Sequence, residues 1–458
     1  MHSCITGQTI RLYGRVKSLA ALVLFSSHLQ LSDTPPSAAF HQAASQNPNK
    51  MTSKLEEARH NALWGLCIAD ALAMPVHWYY NPEDIKYGYG DWLAGYRAPN
   101  QKHPSSILSL SAVDGSGRSG WHAKSRPVVG NVILQGKEKY WTSSNRNTHY
   151  HQGMKAGDNT LNALCAVRVA DVLKKTDPDG KLTNRELQAA VLEDYVQFLT
   201  TPDSHNDTYA ESFHRAFFKD WDNLDTPPRK GKEILEFAEK RYAQKMKENP
   251  DSQLAVIGSF VMAIPWILHR ANQSADDCAK AAVEFVRLTH PVPTLETYVD
   301  LYARLLHAVL NGKILRKEAM TVLEHKEMGG RKKLEKVLKF MEKAEMLPRG
   351  SEERLNMYQE VSFTLGSACY IQGAMPTMLF TAMEFHEDFE GGVLANANIG
   401  GENCHRGAAL GALLGAATTH HGVGIPAKFK AELGTSREKL RELTSMKNEG
   451  IPKPFQGV

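Results

Sequence analysis

Three short segments place residues capable of acid–base or metal chemistry at the ends of apolar helices. The richest runs Asn398-Ile399-Gly400-Gly401-Glu402-Asn403-Cys404-His405-Arg406-Gly407. Gly400-Gly401 supplies a pliable backbone leading into a helix start, where free N–H groups and the positive dipole end attract anions such as phosphate. Glu402, Asn403, Cys404 and His405 sit at the mouth of that helix, and Gly407, Gly411 and Gly415 behind them form a flat stripe for close helix packing. Taken alone, Glu402 reads equally well as a first-turn acid and His405 as a satisfied core histidine. Cys404 reads as a small buried hydrophobe, a ligand or, with a depressed pKa, a nucleophile, and the first two are favoured. The second segment, Ala156-Gly157-Asp158-Asn159-Thr160, sets oxygen-bearing side chains before the apolar run Leu161, Leu164, Val167 and Val169. By itself it reads as a helix cap by Asp158 or Asn159. The third, Gly65 to Trp78, ends a small-residue helix at Pro75 and presents His77 just beyond it. His149 and His151, with Trp141 and Tyr150, read either as an exposed loop or as side chains lining a cleft mouth.

The elements that must position these residues are helical. Leu55, Ala58, Ala62, Leu66 and Ala69 share one helix face, as do Leu187, Val191, Tyr195 and Phe198, and again Leu254, Ile257, Val261, Ile264 and Leu268. No run alternates with period two. Thr183 with Glu186 and Thr435 with Glu438 have capping-box spacing, and Gly312 follows the run Tyr298, Tyr302, Leu305, Val309. The fold class expected is all-α, in one domain over residues 51–458. Clusters of Tyr, Gly, Pro, Ser and Asn mark a loop-rich insertion at about 80–150, including Gly115 to Gly120. A lysine-rich stretch at about 313–345, broken at Gly329-Gly330, reads as a helical hairpin on the surface.

Composition bounds the rest. Lys+Arg 54 against Asp+Glu 50 gives a net charge of +4, spread along the chain, so nothing calls for a nucleic-acid partner. The 6 cysteines form no C-x-x-C pair, which argues against a disulfide framework or a thiolate zinc finger. The apolar run Leu19 to Phe25 is too short to span a bilayer, and no later stretch reaches the roughly 18 unbroken apolar residues of a membrane span. Residues 1–50 differ: Arg11, Arg15 and Lys17 precede the apolar run Leu19 to Phe25, and no acid precedes Asp33. They read as an organelle-targeting segment or as an extension ahead of a cytoplasmic protein starting at Met51. Oligomeric state is not legible.

Together the three segments resemble, in order and spacing, the signatures of the ADP-ribosylglycohydrolase family. Asp70-Ala71-Leu72-Ala73-Met74-Pro75-Val76-His77 is similar to its early Gly-Asp-Ala-Leu-Gly-x-Pro-x-Glu, Gly157 to Thr160 to its Thr-Asp-Asp-Thr, and Gly400 to His405 to its Gly-Gly-Asp-x-Asp-Thr. Gly258, Met262 and Pro265, then Thr289-His290-Pro291 and Gly424-Ile425-Pro426, fit segments between and after these. The resemblance implies an all-helical fold, two magnesium ions in a central cleft, and hydrolysis of an N- or O-glycosidic bond to ADP-ribose, free or protein-linked. The metal positions depart from the pattern. His77 stands for the glutamate, Gly157 for a threonine, Asn159 for the second aspartate, Glu402 and Cys404 for the late aspartates and His405 for the late threonine, leaving only Asp158 and Glu402 as carboxylates. Paired magnesium is therefore not expected. Three readings follow. One borderline metal, zinc or iron, sits among Asp158, Asn159, Glu402, Cys404 and His405 with His77 near; or the cleft binds an ADP-ribose-like ligand through Gly400, Gly401 and His77 without turnover; or Asp158, Glu402 and His405 catalyse hydrolysis without a metal. The altered motif also resembles the J-type lens crystallins, which makes a crystallin-like, non-catalytic protein the alternative function. As polar cleft residues, Asp158 and Glu402 are expected to contribute to function more than to stability.

Overall fold

The Gly-rich stripe at residues 407–415 needs a partner with equally small residues, and the first helix supplies one. A computed structural model describes residues 48–116, 126–141, 147–248 and 250–445, with side chains from residue 53. Its described residues form eighteen α-helices and no β-strand, only isolated bridges. Ten of the helices frame the site and are numbered in chain order: α1 (Pro48–Ala73), α2 (Leu161–Thr176), α3 (Asn184–Thr200), α4 (Ser212–Asp222), α5 (Gly258–Arg270), α6 (Ala275–Thr289), α7 (Pro293–Leu310), α8 (Ile371–Glu384), α9 (Phe389–Asn398) and α10 (Asn403–Thr418). The targeting or extension reading of residues 1–50 lies outside the described residues, except that α1 already begins at Pro48. Residues 117–120 of the Gly115 to Gly120 cluster lie outside them too.

α10 is the buried centre, from Asn403 to Ala417. It packs along α1 and touches α5, α7, α8 and α9. A Cβ at Gly411 would stand 2.2 Å from the Gly65 carbonyl, and one at Gly65 2.0 Å from the Gly411 carbonyl, so the two backbones meet directly. Ala58, Ala62, Leu66 and Ala69 bury the face expected of α1, and Leu187, Val191, Tyr195 and Phe198 that of α3. The Thr183–Glu186 capping box forms in full at α3. The one expected at Thr435–Glu438 does not. Ser436 heads that helix without a side-chain cap, because the Thr435 hydroxyl donates instead to Asp158 at 2.9 Å.

The helix expected from Leu254 onward starts later, at Gly258. Ahead of it, Ile257 N donates to Cys369 O at 3.0 Å and Ile371 N to Ala255 O at 3.0 Å, an extended pairing that delays the helix. Residues 313–345 contain two helices, Leu315–Glu324 and Gly330–Glu345, joined by a 3-10 turn that Gly329 ends at φ +98°. Between 80 and 150 the described chain is mostly irregular, with two short helices and a 3-10 turn. An isolated bridge ties Lys102 to Thr148, so His103, His149 and His151 fold back beneath the end of α1. No helix among the described residues is long and apolar enough to cross a membrane, and the described cysteines form no disulfide with one another.

Candidate functional site

α1 ends in the 3-10 turn Met74–Val76, and its cap residue is His77. Two buried histidines pin that turn: His103 Nε2 lies 2.7 Å from His77 O and His149 Nε2 3.0 Å from Pro75 O. Trp78 follows at φ +65°, a left-handed backbone that a tryptophan adopts only under constraint. Two contacts constrain it. Its N–H donates to Gly401 O at 2.9 Å, and its indole N–H donates to the Glu402 carboxylate through a short hydrogen bond.

The end of α1 therefore meets the start of α10. Gly400 and Gly401 both have positive φ, and a Cβ at Gly401 would lie 2.2 Å from Ser367 O. The amides that the sequence offered to an anion are engaged within the protein. Gly401 N donates to Tyr79 O at 2.8 Å and Glu402 N to Ser367 O at 2.8 Å. Arg406, fully buried, adds a bond of 2.8 Å to Gly400 O. Asn403 anchors the same turn, donating to Ala397 O at 2.9 Å and Val76 O at 3.2 Å.

On this frame stands a continuous string of buried polar groups. Asp207 Oδ1 lies 2.8 Å from His151 Nδ1, His151 Nε2 2.8 Å from His77 Nδ1, and His77 Nε2 3.0 Å from Glu402 Oε1. The same Glu402 oxygen lies 3.0 Å from His405 Nδ1, which in turn is 3.7 Å from Glu211 Oε1. His77 and Glu402 are 0% exposed, His405 2% and Glu211 4%. His149 and His151 are likewise buried, so they are core side chains and not an exposed loop.

Electrostatics follows from burial against pairing. Burial, aided by the neighbouring His151 and His405, outweighs the Glu402 carboxylate and holds the His77 imidazole down to about 3. Burial also opposes charge on His405, but the Glu211 and Glu402 carboxylates outweigh it and push the imidazole up to about 10. For Glu402 burial works upward, and His405 and His77 overcome it, holding the carboxyl well below its ordinary range. Glu211 goes the other way: burial raises it, and His405 only partly compensates. Burial pushes the Cys404 thiol well above its ordinary value, so the nucleophile reading finds no support.

Asp158 and Asn159 stand apart from this string. Asp158 accepts from Lys155 N at 2.8 Å, Asn206 Nδ2 at 2.7 Å and Thr435 Oγ1 at 2.9 Å, a clamp on the loop before α2. Asn159 donates to Cys67 O at 2.7 Å and to Asp70 at 3.0 Å. Neither caps α2. The helix start is held by carboxylates from elsewhere, Asp70 accepting from Thr160 N at 2.8 Å and Asp207 from Leu161 N at 2.7 Å.

Glu211, Asp207 and Trp78 are the residues that the sequence did not single out. Glu211 heads α4 without capping it. Its carboxylate instead takes the Asn162 amide at 2.7 Å and lies where a side chain on Gly258 would be, 2.1 Å from that missing Cβ. The signal available was a pair of carboxylates four residues apart in Asp207-Thr208-Tyr209-Ala210-Glu211, the second beside the aromatic residues Tyr209 and Phe213. Glu211 forms a wall of a cavity of about 70 Å³, with Trp78, Tyr150, Tyr209 and Arg215. Tyr80, Ile107 and Tyr370, exposed by 43%, 37% and 39%, stand at its rim.

No curated protein sequence matches the chain. Among solved structures, one described as an "ADP-ribosylglycohydrolase-related protein complex" is similar at 16% identity over 86% of this chain and 97% of that one, with a TM-score of 0.45. The family model described as ADP-ribosylglycohydrolase matches residues 51–453, a span that takes in α1 from Met51 onward, the loop before α2 and the Gly-Gly turn of α10. With its three signature segments inside that match, the chain belongs to the ADP-ribosylglycohydrolase family.

Proposed function

We propose that this protein hydrolyses a glycosidic bond to ADP-ribose, with the reacting ribose over Glu211 and the Glu402–His405 pair behind it. The observation that carries this is Glu211 itself, a carboxyl raised by burial at the wall of an aromatic-rimmed cavity. A carboxyl whose hold on its proton is raised by burial can give that proton to a departing group, and the water that then bonds to the sugar carbon returns a proton to it. An ionised carboxylate, which Glu402 is held to be, favours the positive charge that builds on the sugar ring as the bond breaks. His405 lies between the two, its Nδ1 3.7 Å from Glu211 and 3.0 Å from Glu402. The cavity of about 70 Å³ has room only for the reacting end, so the nucleotide would lie across Tyr80 and Tyr370, whose rings can stack on adenine. Asp158 enters this reading as a support, fixing the loop before α2, whose Asn162 holds Glu211.

The family is generally metal-dependent, and magnesium asks for hard oxygen ligands. The buried groups that converge here are His77, His151 and Cys404, and His77, Glu402 and His405, with one carboxylate among them. Asp158 is in neither group. That donor set does not suit a pair of magnesium ions, and no step is assigned to them.

A second reading, an ADP-ribose-binding or crystallin-like protein without turnover, is favoured by one observation. Both Glu402 oxygens are already enclosed, by His77 and His405 on one side and Trp78 on the other. The test is release of free ADP-ribose from a panel of ADP-ribosylated substrates by the full chain, with magnesium, zinc or chelator. Hydrolysis predicts release that falls about 100-fold or more in Glu211→Gln and Glu402→Gln with the helical circular dichroism unchanged. No release from folded wild-type protein in any condition would move the assignment to the second reading.

A further inference from the structure

We infer that His77, Glu402 and His405 form a site for one divalent ion of borderline softness, of the zinc class, in place of the paired magnesium that the cleft does not suit. Three ligand atoms on two elements converge. His77 Nε2 and His405 Nδ1 each lie 3.0 Å from Glu402 Oε1, and all three fall within 4.8 Å of one another. Zinc–nitrogen and zinc–oxygen bonds of about 2.0–2.1 Å in a tetrahedron set neighbouring ligand atoms roughly 3.3 Å apart. Two imidazoles and a carboxylate are a ligand set that leaves a fourth position open.

The second observation is His405 itself. Its Nδ1 is buried and lies within ion-pair distance of Glu402, yet it lies off the line of a hydrogen bond and has no such partner. Histidine and carboxylate thus sit side by side, as two groups directed at a common third point do.

The outer contacts supply a third argument. Two imidazoles stand in series between the carboxylates of Asp207 and Glu402. A neutral imidazole has one N–H and one lone pair. If each ring gives its N–H to its carboxylate, the two inner nitrogens, 2.8 Å apart, face each other with lone pairs. A cation at His77 Nε2 removes the conflict: His77 Nδ1–H donates to His151 Nε2, and His151 Nδ1–H donates to Asp207. Asp207 is fixed for that role by the N–H groups of Tyr209 at 3.1 Å and Leu161 at 2.7 Å. A ligating imidazole tied through its other nitrogen to an oriented acceptor is the usual arrangement around protein-bound zinc. The Trp78 indole orients the remaining Glu402 oxygen in the same way.

The test uses the full chain, stripped with chelator and titrated with Zn²⁺ by calorimetry and with Co²⁺ by visible absorption. One equivalent of each should bind, with the strong d–d bands of a four-coordinate cobalt centre and no thiolate charge-transfer band. His405→Gln and His77→Gln should abolish stoichiometric uptake. His151→Gln, which leaves all three ligands in place, should weaken it about 10–100-fold. Cys404→Ser should leave it unchanged, which separates this triangle from the neighbouring His77–His151–Cys404 group. Absence of uptake by folded protein, uptake indifferent to His77 and His405, or a thiolate band lost in Cys404→Ser would each overturn the assignment. The inference rests on the same cleft as the proposed hydrolysis but is separable from it. ADP-ribose release in chelator by protein that takes up neither ion refutes the metal site alone, and one-to-one uptake without release on any substrate refutes hydrolysis alone.

Discussion

The mouths of α2 and α10 look alike in sequence, each a glycine followed by small polar residues and then a long apolar helix, yet they are built for different tasks. At α2 the carboxylates of Asp158 and Asp70 are saturated by N–H and O–H donors, Asp158 by Lys155, Asn206 and Thr435 and Asp70 by Asn159 and Thr160, while Asp207 takes the Leu161 N–H and one imidazole, His151. At α10 the carboxylates face imidazoles instead, and Glu211 among them borders a cavity. A carboxylate satisfied by backbone amides fastens a loop. One balanced by titratable rings keeps its charge available for exchange with a proton, a cation or a substrate.

The largest expected effect breaks both mouths at once. Gly411→Val drives a branched side chain into the Gly65 carbonyl and should cost at least about 3 kcal/mol, read as loss of a cooperative thermal transition. Asp70→Ala comes next. It strands the Thr160 N–H, the Thr160 hydroxyl and the Asn159 amide, and should destabilise by about 3 kcal/mol in denaturant unfolding. Asp158→Ala should cost about 2 kcal/mol by the same logic, contrary to the sequence expectation that it is a cleft residue with little bearing on stability. It sharpens the contrast if zinc uptake by the folded protein is unchanged, and a lost uptake would place Asp158 at the site after all.

Acid should then separate the two mouths. His103 and His149, which pin the turn before Trp78, are held neutral by burial, His103 at about 4 against an ordinary 6.5. The unfolded chain takes up their protons first, so this contribution is complete above pH 6.5 and is lost as pH falls from there toward 4. Asp207 at the α2 mouth is held below its ordinary 3.8, despite burial, by His151, so its contribution survives until the pH drops below that value. Melting temperature should therefore decline between pH 6.5 and 4, less steeply in His103→Gln. A flat profile over that range would contradict the neutral-histidine account. The smallest effect is the control, Thr183→Ala, which removes the capping box of α3 for about 1 kcal/mol and should leave both mouths untouched.

What the sequence determined by itself is whatever depends on neighbours along the chain. The 3.6-residue spacing made α1 and α3 legible, the Thr183–Glu186 pair marked a helix start, and the glycines at 407, 411 and 415 announced a close helix partner. Glu402 and His405, three residues apart on one helix, were legible as a pair for the same reason. Tertiary structure decided what depends on groups far apart in sequence. Thr435 abandoned its own helix for Asp158, 277 residues away, because a buried carboxylate needs a donor more than the start of that helix needs a cap. Glu211 became a site residue only because Gly258 leaves room for it and Asn162 holds it. His77 acquired chemistry only because folding set it between His151 and Glu402, in a fully buried place where each proton or cation must be accounted for by a neighbour.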